Sequence, residues 1–229
     1  VMGHVGYALA LKAKENGHKV IGLFNKSKDK TKISILKKKK IKLIKKNLLS
    51  KKIISKLIKS KSINCCIHTA AVSHEIYAKN DPFKTININS LVVLNFLEVL
   101  KKNKKVKFIN ISTGSVFQDI RSSKKINQNI IPTPNSIYAG TKRLGEIFIT
   151  NYKRNHNLNC CSLRISWVYG PPIIVKKLNI QRGPIPIILY NLVKKKQKKF
   201  NIESGKDFRA SFTFIDDVTE NILKLIKLK

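Results

Sequence analysis

The stretch from Ser62 to Thr69, with Cys65-Cys66-Ile67 at its centre apolar without alternation, reads as a strand and constrains the fold more than any other segment. A strand without polar alternation is buried on both faces, and such strands belong to parallel sheets covered by helices on each side. The rest of the chain alternates in the same sense. Helical patterns are expected over 4–16, 29–38 and 50–60, the last with Ser50 as its candidate N-cap, and strands over 19–24 and 41–45. Pro82 opens a long helix to about Lys102, and Val106 to Ile111 reads as a strand. The polar stretch 119–135 carries two prolines and reads as a loop. A helix holding Tyr138 and Lys142 then leads to a strand from Leu158 to Ser166. After Gly170 the pattern loosens around Pro171, Pro172, Pro184 and Pro186. A helix is expected over 185–196, with the basic run Lys194 to Lys199 as its solvated end, then a strand near 211–215 and a final helix from Asp216. This order predicts an α/β fold with a doubly wound parallel sheet.

Composition narrows the function. At 229 residues and 42% hydrophobic content the chain can bury a sizeable core. No apolar run is read as long enough to span a bilayer, so no membrane is expected as a partner. The formal charge of +35 invites a nucleic-acid reading, but 41 of the 47 basic residues are Lys and only 6 are Arg. Phosphate and base readers lean on the planar fork of Arg. Lys, Ile and Asn are abundant together, which a compositional bias explains, so no specific nucleic acid is expected. The cysteines form two adjacent pairs, Cys65-Cys66 and Cys160-Cys161, in strand-like runs. Neighbours on a strand point to opposite faces, so neither pair can hold one metal ion, and no metal site is expected. Small buried thiols fit a reducing, cytoplasmic setting.

Two spacings carry chemistry. Gly3-His4-Val5-Gly6 opens the first helix, where glycines let backbone approach a pyrophosphate and free N–H groups attract it. A plain helix start is the competing reading. Gly17-His18-Lys19 then leads into the second predicted element, the layout of a dinucleotide-binding unit. Tyr138 and Lys142 stand four residues apart, so a phenol and an ammonium share one helix face. The cation is expected to lower the tyrosine pKa and ready it for proton transfer to or from a substrate oxygen. A solvated helix face is the competing reading there.

With these segments in order, the chain resembles the extended short-chain dehydrogenase/reductase superfamily, the NAD(P)-dependent sugar epimerases, dehydratases and reductases. The resemblance runs from Val1 to about Leu228. Gly3 and Gly6 match the second and third glycines of that family's Gly-x-x-Gly-x-x-Gly fingerprint. The first glycine and the first strand would fall before Val1, and a strand ending in Thr-Gly or Ser-Gly is expected there. The C-terminal end is also expected to continue. Residues 1–170 are then a Rossmann-like NAD(P)-binding domain without its first strand. Residues 171–229 are a partial substrate-binding region whose late strand and helix return to the core.

The match continues in Cys66-Ile67-His68-Thr69-Ala70-Ala71, where Ala70 and Ala71 leave room for the dinucleotide and His68 is read as structural. Asn89, with Asn95 and Glu98, resembles the motif whose Asn supports the elements beside the cofactor. Ile111 to Phe117 ends a strand, with Thr113 standing 25 residues before Tyr138. The resemblance implies a catalytic set of Thr113, Tyr138 and Lys142. In it Thr113 orients the substrate oxygen, Tyr138 is the acid/base and Lys142 also binds the nicotinamide ribose. Leu163 to Pro171 and Phe212 to Val218 match later motifs, with Asp217 as a helix cap or anchor. The cofactor contacts implied are Gly3, His4, Val5, Gly6, Asn25, Lys26, Ala70, Ala71, Asn89, Tyr138 and Lys142.

Departures refine the expectation. Phe24-Asn25-Lys26-Ser27-Lys28 lacks the acid that NAD-preferring relatives set on the ribose, so NADP(H) is expected over NAD(H). Gly114-Ser115 replaces the Asp-Glu of the dehydratases, which argues against 4,6-dehydration. Trp167 stands where many nucleotide-sugar epimerases have Asn, and their late Arg falls on Ala210, beside Arg209. The expected activity is an NAD(P)-dependent sugar or nucleotide-sugar epimerase/oxidoreductase. A 4-keto-sugar reductase is the nearest alternative, and a non-catalytic dinucleotide-binding regulator the alternative of another class. A homodimer built through helices 82–102 and 136–155 is implied by the resemblance alone.

Overall fold

The structure, a computed structural model, describes residues 1–26, 29–60, 62–118, 126–127, 129–171, 188, 191–193, 196 and 210–228. Helix α1 (His4–Glu15) leads to β1 (Ile21–Phe24), α2 (Lys30–Lys38), β2 (Lys42–Lys45), α3 (Lys51–Ser60) and β3 (Cys65–His68). Next come α4 (Glu75–Asn80), α5 (Pro82–Ile86), a π-helical turn (Asn87–Leu91), α6 (Val92–Leu100) and β4 (Lys107–Thr113). A 3₁₀ turn (Gly114–Phe117), α7 (Ile137–His156), β5 (Cys160–Ile165), β6 (Trp167–Tyr169), β7 (Phe212–Phe214) and α8 (Ile215–Lys227) follow. Among the described residues every strand pairing is parallel: β1 with β2, β3 with β4, β4 with β5, and β6 with β7. The helix expected over 185–196 lies largely outside the described residues, and in the loop expected over 119–135 the described residues 126–127 and 129–135 form no helix or strand.

Central strand β4 is buried at every position, polar Lys107, Asn110, Ser112 and Thr113 included, because helices cover both faces of the sheet. On one face of the sheet, Val93, Phe96, Leu97 and Leu100 of α6 pack with Ile54 and Ile58 of α3, Ile149 of α7 and Phe108 of β4. On the other, Leu9 and Ala13 of α1 and Val218 and Ile222 of α8 pack on Ile109 and Ile111. Adjacent cysteines divide between these layers. Cys66 and Cys160 face the first, Cys65 and Cys161 the second, and burial raises all four thiol pKa values. Tyr7 and Ala10 of α1 also meet Leu36 and Ile41, so α1 bridges the β1–β2 pair and the three-stranded sheet.

Three expectations are corrected. The helix from Pro82 is not continuous. Asp81 caps it through Lys84 N–H (2.9 Å) with Pro82 at the first position. The π turn then widens it so that Asn89 and Ser90 point inward. Pro82–Leu100 is also long and apolar enough, at 19 residues and mean hydropathy 1.3, to cross a membrane on those grounds alone. Half of that stretch is buried inside the fold, which makes it a core helix. Asp217 is not a cap, because Phe214 holds the N-cap position of α8 and Asp217 sits in the first turn. There its charge complements the helix dipole.

Candidate active site

The candidate residues gather at the C-terminal ends of β1, β3 and β4 and on the helices beside them, the edge where parallel sheets place ligands. Gly3 caps α1 in an extended conformation, and nothing lies within 4 Å of where its Cβ would be. The first turn of α1 holds no acidic residue, so its N–H groups present an uncompensated positive end. Gly6 is needed for a different reason. A Cβ there would stand 2.6 Å from Thr69 Oγ1 and 3.3 Å from Val1 Cα, so only glycine lets α1 approach the end of β3. Ala70 is exposed and Ala71 half-buried just beyond Thr69, and Asn25 and Lys26 are exposed after β1. Open space beside a helix N-terminus, walled by two alanines, fits a dinucleotide. His4 is turned aside, its Nε2 donating to the Gly170 carbonyl at 2.9 Å.

Across the edge, α7 starts where Ser136 caps Ala139 N–H (3.2 Å) and Glu75 accepts from Tyr138 N–H (3.0 Å). Thr113 ends β4 and its hydroxyl accepts from Ser115 N–H at 3.1 Å. The same side chain lies by the Tyr138 phenol and favours its ionised form. One turn further, Lys142 is buried and Nζ donates to the Ile111 carbonyl at 2.6 Å. Thr113, Tyr138 and Lys142 are thus brought together at the end of one strand.

The electrostatics correct the expectation that Lys142 lowers the tyrosine pKa. Burial raises the Tyr138 pKa and the neighbouring Thr113 side chain opposes the shift. Lys142 is spent on a backbone carbonyl, and burial lowers its own pKa to about 8, with Glu146 pulling the other way. The phenol is therefore held protonated.

The family model described as NAD dependent epimerase/dehydratase family matches residues 1–229. The chain belongs to this family. Among curated relatives, Protein CapI of Staphylococcus aureus is 27% identical, over 98% of this chain and 67% of its own length. UDP-glucuronate 4-epimerase 1 of Arabidopsis thaliana is 26% identical, over 96% of this chain and 52% of its own. The chain thus spans about half to two thirds of the length of such relatives. Among solved structures, a UDP-glucose 4-epimerase of Thermotoga maritima with UDP-glucose superposes at TM-score 0.85 and 21% identity, covering 98% of this chain and 71% of that one. A UDP-glucuronic acid 4-epimerase of Bacillus cereus in complex with UDP-glucuronic acid and NAD gives 0.80 and 23%, covering 99% and 71%. These likenesses establish the Rossmann-like α/β fold.

Within this family frame, Asn89 needs a correction. It was expected among the cofactor contacts, yet it is fully buried. Its Oδ1 accepts from Val72 N–H (2.9 Å), and Nδ2 donates to the Val72 carbonyl (3.2 Å) and to Thr141 Oγ1 (3.0 Å). Ser90 Oγ donates to the Thr141 carbonyl at 2.8 Å. The π turn therefore staples the strand-end wall Thr69–Val72 to α7 beside Lys142, and Asn89 acts by holding that wall. His68 is structural as expected: it is buried and burial drives its pKa to about 3, so it stays neutral.

Residue-by-residue reading missed Ser112, Glu146 and Arg164. Ser112 Oγ donates to Glu146 Oε1 at 2.6 Å, and Arg164 Nε and Nη2 reach the same carboxylate at 2.9 and 2.8 Å. One signal was available: Glu146 repeats the four-residue step that links Tyr138 to Lys142.

Proposed function

We propose that this chain is part of an NAD(P)-dependent sugar epimerase/oxidoreductase acting on a nucleotide-linked sugar, with Thr113, Tyr138 and Lys142 as its catalytic set. The observation that carries the reading is the convergence of the Thr113 side chain with the Tyr138 phenol and of buried Lys142 with the Ile111 carbonyl, at the sheet edge that also holds the α1 glycine turn. The relatives' names favour a nucleotide sugar as the substrate class.

Each residue has a role that follows from its surroundings. The open backbone at Gly3 and the first turn of α1 hold a pyrophosphate. The bound dinucleotide supplies hydride exchange with the substrate carbon. Tyr138, kept protonated by burial, gives its proton to the substrate oxygen. In the opposite direction the phenolate must take one, and the Thr113 side chain favours that anion, while Lys142, anchored on the Ile111 carbonyl, offers its charge to the nicotinamide ribose. Replacement Tyr138→Phe keeps the ring and removes the proton. The expected result is a loss of turnover of about 10²-fold or more with cofactor binding retained. Near-normal turnover in that variant would refute the assignment.

We further infer that NADP(H) is accepted at the end of β1. No carboxylate stands in Phe24–Lys28, and Lys26 is exposed there. Lys45 and Lys46 lie at the adjoining end of β2, where Lys46 N–H donates to the Phe24 carbonyl at 2.9 Å. Calorimetric affinities for the two cofactors test this, and a clear preference for NAD(H) would overturn it. Net cofactor consumption separates a reductase, which turns it over, from an epimerase, which does not.

A further inference from the structure

Three consecutive residues of β4 engage three residues of α7 spaced by four. The Ile111 carbonyl accepts from Lys142 Nζ, the Ser112 hydroxyl donates to Glu146, and the Thr113 side chain lies by the Tyr138 phenol. Tyr138, Lys142 and Glu146 therefore form one stripe on the helix, and Glu146 is the member with no role in the reading above.

Its surroundings are unusually complete. The Glu146 side chain is 4% exposed. Oε1 accepts from Ser112 Oγ and Arg164 Nε, and Oε2 accepts from Arg164 Nη2 and from Arg143 Nη1 at 3.0 Å. Arg164 in turn lies 4.8 Å from the centroid of the Phe117 ring, at the close of the turn that follows Thr113. One carboxylate thus holds the chain on both sides of Thr113: Ser112 before it directly, and Gly114–Phe117 after it through Arg164. A buried ion pair is a poor stabilising device, because desolvation offsets most of the attraction and apolar replacements often do as well. Conformational placement is what such a cluster supplies.

We propose that Glu146 is a positioning residue that keeps Thr113 and Lys142 in register with Tyr138, acting through Ser112 and Arg164. The proposal rests on the proposed function above. The groups facing Lys142 are the Ile111 carbonyl from β4, buried neutral His68 from β3, and Tyr138 and Glu146 from α7 itself. Of these, Glu146 favours the ammonium. Its loss would also release Arg143 and Arg164, two cations, beside that ammonium.

The experiment uses the full-length protein and the variants Glu146→Gln and Ser112→Ala. In Glu146→Gln, kcat is expected to fall by about tenfold or more, as for a misplaced catalytic group. NADPH affinity, read by fluorescence, should hold within about threefold, because the first turn of α1 is untouched. The alkaline limb of the kcat profile should move down by about one pH unit, since the ammonium loses its anion. Ser112→Ala keeps the charge, so its kcat should fall while that limb stays in place. A folded Glu146→Gln with kcat within about twofold of wild type and an unmoved limb overturns the proposal. If Glu146→Gln does not fold, Ser112→Ala decides, and unchanged kcat there overturns it equally.

Titration of the Lys142 ¹⁵Nζ resonance, assigned by its loss in Lys142→Met, separates the two readings. A downward shift in Glu146→Gln alongside an active Tyr138→Phe would sink the catalytic assignment and leave the Glu146–Lys142 linkage standing. An unshifted resonance would sink the Glu146 proposal whatever the turnover.

Discussion

The two halves of the candidate site are built on opposite principles. At the start of α1 the working parts are backbone and empty space: Gly3 faces nothing, Gly6 exists so that Thr69 can come close, and the helix end supplies the charge. At the β4–α7 junction the working parts are side chains, four of which are ionised or hydrogen-bonded in the interior: Thr113, Lys142, Glu146 and Ser112. Backbone N–H groups at a helix end need no partner but water, so the first half can stand open to a ligand. A buried ammonium or carboxylate without partners is too costly, so the second half must be tied bond by bond. Asn89 joins them, since it grips the wall that Gly6 packs against and the helix that carries Lys142.

That contrast predicts different failures. Gly6→Val fails by collision. Its side chain meets Thr69 Oγ1 and the Val1 backbone, and strain of about 3 kcal/mol is expected, the upper end for overpacking. Cofactor affinity should fall with it, because α1 is pushed from the strand end. Chemical denaturation of Gly6→Val beside the double variant with Thr69→Ala tests the cause. Partial recovery in the double variant is expected, and strictly additive losses would show that Thr69 is not the obstacle.

The same contrast explains what could be read without coordinates. Elements announced by periodicity were legible: α1, β1, α2, β2, α3, β4 and α7 all appear near their expected bounds. So was the gathering of Thr113, Tyr138 and Lys142, because i to i+4 spacing and strand ends are local geometry. The break in the helix after Pro82 was not, since the π turn answers to tertiary partners at Val72 and Thr141 that sequence order leaves 17 and 52 residues from Asn89. The tyrosine pKa was misjudged for a related reason. A cation one turn away acts on a phenol only if it points there, and Ile111, 31 residues distant in sequence, takes it instead. Glu146 was legible as a helix position and illegible as a hub, because its partners come from β4, β5 and its own helix at once.

The subtlest consequence lies in the buried half and is a matter of sign. Lys142 is lowered from its usual 10.5 to about 8, so between those values the unfolded chain binds more protons at this residue than the folded one. Stability contributed by this lysine is therefore complete above about pH 10.5 and is lost as pH falls through about 8. Activity runs the other way, since the proposed role needs the ammonium, and turnover should decline as pH rises through the same value. The measurement is the stability difference between wild type and Lys142→Met from pH 7 to 9, which cancels the many other lysines. It should shift toward the wild type by about 1 kcal/mol over that range while wild-type kcat falls. The glycine turn has no such group, and Gly6→Val should show a stability difference that is flat with pH. A flat difference for Lys142→Met as well would mean that this lysine titrates in the folded protein as it does in water, and that the two halves are not built differently after all.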